Sequence, residues 1–222
     1  MILIKFQQIK KIFRLSKSEN DFIGLIPINY KKAWDGKLQD LVSAGTLPAN
    51  GANQRNQIKK RIKEKLLKIQ DNYCIYCGIH FDVVGTAQRE HIAHKDKYPQ
   101  FTFTKQNIAL ACSFCNGFEK KSTRNVVSTL RVNYLNCDFS IVHPYFDDIE
   151  KHIELTFDGA NISLSEINNS AKGQNTIKIF KLMEAAQAAM KGAAYIRGKE
   201  LAKLNKSAIK KSKKIAVKKY TF

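Results

Sequence analysis

Cys74-Ile-Tyr-Cys77-Gly, Arg89-Glu90-His91-Ile-Ala-His94 and Asn107-Ile-Ala-Leu-Ala-Cys112-Ser-Phe-Cys115-Asn116 follow one another within the stretch Tyr73 to Ser122. Two Cys-x-x-Cys pairs bracket an acid–histidine dipeptide and two asparagines. Four thiolates at this spacing match a structural zinc site. Each pair sits on a tight turn, so both sulfurs point at one ion. Four sulfurs close the tetrahedron and leave no open position, so the expected Zn2+ holds the fold and does no chemistry. In a reducing compartment such pairs are metal ligands more often than disulfides. Cys137 lacks a partner of this kind and reads as a small buried hydrophobe.

Taken with both cysteine pairs, Glu90-His91, Asn107 and Asn116 make the stretch resemble the HNH endonuclease family, in its version stapled by a four-cysteine zinc. The resemblance implies a ββα-metal unit. In it Glu90 and Asn116 bind a catalytic divalent metal, Mg2+ or Mn2+, His91 is the general base, and Asn107 braces the loop between strand and helix. Phosphodiester hydrolysis asks for these residue types independently. A histidine with an ordinary pKa near 6.5 can take a proton from water at neutral pH. A hard cation on a carboxylate and an amide can neutralise the charge that builds on phosphate. Neighbouring strand residues point to opposite faces, so Glu90 and His91 need a bent backbone to serve one site. The chain also departs from the family pattern. His94 stands where many members have proline, and Glu119, followed by Lys120, where a lysine is common. His94, Lys120 and Lys121 are therefore candidate substrate contacts. His80, His143 and His152 lie outside the motif, with surface or structural roles as the default.

A narrower resemblance is to the HNH effectors of Septu and related retron anti-phage systems. It rests on Tyr73-Cys-Ile-Tyr-Cys77, Glu90-His91, Tyr98-Pro99, Asn107 with Leu110-Ala-Cys112, Cys115-Asn116, and the later His143-Pro-Tyr145 and Asp147-Asp148. That group implies a complex with an ATPase partner, docked on helices outside the nuclease unit. Restriction and mobile-element nucleases share the four-cysteine motif, so they stay open as alternatives. A noncatalytic zinc module that binds nucleic acid or acts as an adaptor is the reading from another class.

Composition agrees with a polyanion partner. Of 222 residues, 38 are Lys or Arg and 19 Asp or Glu, a formal charge of +19. Lysines neutralise phosphates without reading bases, so nucleic acid (DNA, with tRNA or other RNA also open) is the leading partner class and an acidic membrane surface the second. A hydrophobic share of 44% suffices for a core. No apolar run reaches the roughly 18 residues of a spanning helix. Met1-Ile-Leu-Ile-Lys5 turns charged too early for a secretory signal. The expectation is a cytoplasmic protein with no membrane association.

The fold class expected is α+β: a zinc-stapled HNH core with mainly helical N- and C-terminal extensions. The expected division is an N-terminal extension over 1–54, the core over 55–124, a hairpin and helical region over 125–198, and a lysine-rich tail over 199–222. Within these, Lys5–Arg14 reads as a short helix, Phe22–Ile28 as extended and 43–54 as a loop. Ile58, Ile62, Leu66 and Ile69 fall at helical spacing with the intervening lysines facing out. Phe81–Val84, Ala87–Ile92 and Phe101–Thr104 read as strand pieces, and a helix should run from Ser113 past Lys120. Ile153–Phe157, Asp158-Gly159 and Ile162–Leu164 read as a hairpin. One long helix should start near Asn175, with Ile179, Leu182, Met183, Ala186 and Met190 on one face. The tail reads either as a solvated terminus or as a phosphate-binding segment, and its spaced Ile209, Ile215 and Val217 also permit docking.

Overall fold

A computed structural model describes residues 4–117, 125–158 and 161–219. Its centre is an antiparallel pair, β1 (Gln88–His91) and β2 (Ile108–Ala111), in the register Gln88↔Ala111 to His91↔Ile108. All of β2 is buried. A short helix, Ser113–Asn116, follows it directly. Two strands and a helix in this order form the expected ββα unit. The continuation past Lys120 lies outside the described residues.

A two-stranded ribbon is marginal by itself in water, and here its outer edge is covered. A nineteen-residue helix, Gly51–Ile69, buries Ile58, Ile62 and Leu66. Each such side chain contributes about 1.5–3 kcal/mol of hydrophobic stabilisation. Gln70, at the end of this helix, is fully buried. Its amide donates to the carbonyls of Leu110 and Tyr73 at 2.9 and 3.0 Å and accepts from the Leu110 N–H at 2.8 Å. One side chain thus satisfies both backbone groups of Leu110 on the β2 edge. Asp71 and Asn72 then take left-handed conformations, φ +49° and +63°, which Asx side chains tolerate. They turn the chain into Cys74.

Several sequence expectations need correction. Lys5–Arg14 is not helical: the Lys5 and Ile9 N–H groups donate to Gly78 and Pro144 carbonyls, and Ile9 and Phe13 enter the core. The first helix is Lys17–Gly24, and its last turn takes in Phe22 to Gly24 of the stretch expected to be extended. Ser16 and Glu19 form its capping box, a pairing written in the sequence as Ser-x-x-Glu. Residues 43–54 are only partly loop, since Gly51 already begins the long helix. Phe81–Val84 is one helical turn, started by His80 accepting from the Asp82 N–H and ended at Gly85, φ +80°. Phe101–Thr104 lies among 3-10 turns at Pro99–Phe101 and Lys105–Asn107. Here the Asn107 side chain takes the Phe101 carbonyl that a neighbouring strand would have used.

The strands of the C-terminal hairpin pair as expected, Ile153–Asp158 with Asn161–Glu166, and the expected turn at Gly159 lies outside the described residues. The single long helix does not. Ala171–Ile179 is followed by a break, with Lys181 at φ +51°, and a second helix covers Ala185–Lys219. The break lets Phe180 and Leu182 bury completely. Phe180 stacks on Tyr76 at 3.7 Å between centroids. Met183, expected on the buried face, is 39% exposed.

Candidate active site and four-cysteine cluster

The four cysteines come from the two ends of the ββα unit. The sulfurs of Cys74, Cys77, Cys112 and Cys115 all lie within 4.8 Å of one another, and all four residues are buried. With Zn–S near 2.3 Å, a tetrahedron has edges of about 3.8 Å; Cys77 and Cys112 sit 3.9 Å apart. The Cys112 N–H donates to the Cys74 sulfur at 3.3 Å. Gln187 Nε2 approaches the Cys115 sulfur at 3.6 Å from the C-terminal helix. Burial pushes the Cys77 thiol up, and the adjoining Cys112 sulfur does the same to Cys115. A divalent cation supplies the positive charge that buried thiolates need. The donor set fits zinc. Gly78 closes the first turn at φ +68°, a conformation that favours glycine.

Glu90, His91 and Asn116 line one open pocket of about 200 Å³. His91 ends β1, where the ladder passes to the Ile92–Asn107 backbone bond. Both Glu90 and His91 therefore reach the pocket from the strand end. His91 Nε2 lies 3.0 Å from the Thr102 carbonyl oxygen. A carbonyl only accepts, so Nε2 carries the proton and the neutral ring keeps its lone pair on Nδ1. Burial pulls the His91 pKa down to about 4, so the ring is neutral at physiological pH. Trp34 meets it edge-on at 4.5 Å.

Glu90 accepts from the buried Tyr76 hydroxyl at 3.0 Å. Burial holds that hydroxyl protonated, so it serves as donor. Asn116 Nδ2 donates to Gln88 Oε1 at 3.0 Å and to the Arg89 carbonyl at 3.5 Å. With its donor side on β1, the amide oxygen is the end with capacity for a cation. A carboxylate and an amide oxygen on one pocket fit a hard divalent ion.

Asn107 stands behind the pocket, fully buried. Its amide donates to the Ala93 and Phe101 carbonyls and accepts from the Ala93 N–H and the Tyr134 hydroxyl, at 2.7 to 3.1 Å. That set ties the His91–Thr102 loop together. Asn107→Ala would strand several buried partners, so we expect a loss of about 2–4 kcal/mol in denaturant unfolding.

His94 also lines the pocket, its Nδ1 accepting from the Asp96 N–H at 3.3 Å. Lys120 and Lys121 lie outside the described residues. His143 and Cys137 are buried away from the pocket, His143 within 3.0 Å of the Tyr134 hydroxyl.

Sequence reading missed Trp34, Asp35, Arg89 and Lys95, which complete the wall. It also took the helix lysines as outward-facing, and Lys59 is not. Lys59 is 9% exposed. Its ammonium donates to the Trp34 carbonyl at 2.9 Å and to Asp35 at 2.8 Å. Arg55 binds the Gly36 carbonyl at 2.6 Å. Burial works to raise the Asp35 carboxyl, but Lys59 and Lys95 outweigh it and hold it below its ordinary value. Lys59, a polar residue flanking the buried Ile58 position, was a weak signal; Trp34 had none.

Residues 74–122 match the family model described as HNH endonuclease. The chain is also similar to the Septu protein PtuB of Bacillus thuringiensis. The two are 28% identical over 125 residues, which cover 56% of this chain and 42% of that protein. The match thus spans less than half the length of this relative.

Proposed function

We propose that this protein is a metal-dependent endonuclease that hydrolyses phosphodiester bonds in DNA, with RNA as the second substrate class. We further propose that it is the effector nuclease of an anti-phage defence system, acting in the cytoplasm with an ATPase partner. The observation that carries the nuclease reading is the convergence of Glu90, His91 and Asn116 on one open pocket. The HNH domain and the similarity to a Septu protein support it. No helix among the described residues is long and apolar enough to cross a membrane.

In this reading Glu90 and Asn116 would hold Mg2+ or Mn2+, which when bound would supply positive charge to offset that building on the phosphate. His91 Nδ1 takes the proton from the attacking water as its oxygen bonds to phosphorus, and the bond from phosphorus to the leaving sugar oxygen breaks. That oxygen leaves with a proton from solvent. Asn107 keeps the loop that carries the Thr102 carbonyl in place, and Thr102 keeps Nδ1 as the base. Zn2+ on the four cysteines is structural. The division into extension 1–54, core 55–124, region 125–198 and tail 199–222 is part of this reading.

A supercoiled-plasmid nicking assay with magnesium or manganese tests it. Nicking that depends on the added ion is the expected result. Nucleic-acid binding without nicking in either ion would leave the noncatalytic module instead.

A further inference from the structure

The pocket wall carries two cations, Arg89 and Lys95, and two carboxylates, Asp35 and Glu90. Glu90 is engaged by Tyr76. Asp35 is the acid opposite Arg89 and Lys95, and its side chain is 61% exposed. It is shared between Lys59 at 2.8 Å and Lys95 at 3.4 Å. Lys95 also reaches Asp96 at 3.4 Å, but that acid is equally exposed. Arg89 contributes a second cation to the same wall. One of its donors, Nη1, meets the Lys59 carbonyl at 3.3 Å. Its Nε is buried and has no hydrogen-bond partner among the described residues. A guanidinium that makes a single hydrogen bond among the described residues, beside an open polar pocket, matches a tetrahedral anion in charge and fork geometry.

We propose that Arg89 and Lys95 form the phosphate clamp of this site, gripping the substrate backbone beside the scissile bond, with Asp35 as their counter-ion at rest. The inference rests on the nuclease reading and adds the residues that seat the phosphate. Phosphate displaces Asp35 from Lys95, while Lys59 keeps Asp35 and Trp34 in place. Asp35 thus opposes binding and the two cations favour it. A purely structural role for the three residues does not produce opposite signs.

The test uses the full chain and a short fluorescein-labelled DNA duplex. Anisotropy titrations are run in the His91→Ala background with magnesium present, over a range of salt. Arg89→Gln should weaken binding about ten- to hundredfold and Lys95→Gln about fivefold. Each should lower the salt slope by about one. Asp35→Asn should tighten binding about two- to fivefold. In the His91-intact protein, Arg89→Gln and Lys95→Gln should raise KM for plasmid cleavage.

Unchanged affinity and salt slope in Lys95→Gln, or weaker binding in Asp35→Asn, overturns the clamp. Lys95→Gln carries the test if Arg89→Gln misfolds, since Lys95 sits on a loop at the pocket rim. Absence of cleavage by the unmodified protein sinks the nuclease reading instead, so the two failures are distinguishable.

Discussion

His91→Ala is expected to lower the cleavage rate by about 10²–10⁴-fold and to leave nucleic-acid affinity within a few-fold of the parent. The geometry separates the two effects. The His91 ring is neutral, with its pKa near 4, so its removal takes no charge from the phosphate-facing surface. What disappears is the lone pair on Nδ1, which the Thr102 carbonyl secures by holding the proton on Nε2. Trp34 loses an edge contact, and its backbone stays anchored by Lys59. Single-turnover cleavage and a binding titration on the same preparation read both quantities. Full activity in the variant would show that another group is the base. Equal losses in affinity and rate would show that the ring seats substrate instead.

Loss of the zinc cluster has the largest expected effect on stability. Cys112→Ser, or prolonged chelation, should abolish cooperative folding of the core. Structural zinc contributes about 10 kcal/mol or more in small metal-folded units, comparable to the whole stability of a domain. The reason is where the ligands sit. One pair precedes β1 (Gln88–His91) and the other follows β2 (Ile108–Ala111), so an ion held by both pairs would close a loop around a ribbon of four residue pairs. Strands this short do not hold register alone. Slippage would carry Glu90 and His91 away from Asn116. Elemental analysis should find one zinc per chain, and the near-ultraviolet circular dichroism of the Tyr76–Phe180 stack should collapse with its removal. A chain that binds no zinc and melts unchanged in chelator refutes this.

The two experiments differ in how legible their residues were. The cysteines, Glu90-His91, Asn107 and Asn116 stand out because each carries its chemistry in its type and spacing. The hairpin at 153–166 was legible for a similar local reason: alternation and an Asp-Gly turn act over a few residues. Errors arose where backbone partners come from far away. Lys5–Arg14 is extended because Gly78 and Pro144 take its N–H groups. The helix expected from Asn175 breaks because Phe180 finds Tyr76. Phe101–Thr104 turns because Asn107, not a strand, satisfies its backbone.

By itself the sequence determined which residues can bind zinc, hold a hard cation and accept a proton, since those capacities belong to side-chain chemistry and survive any fold that brings them together. Tertiary structure alone decided that Trp34 and Asp35 would stand against that site. They are held there by Lys59, 25 and 24 residues away in the chain. A contact at that separation depends on how one helix lies across the strand pair, and no local pattern of residue types encodes it. The same packing turned one lysine of a charged helix inward to clamp the wall and placed Arg89 and Lys95 on the pocket.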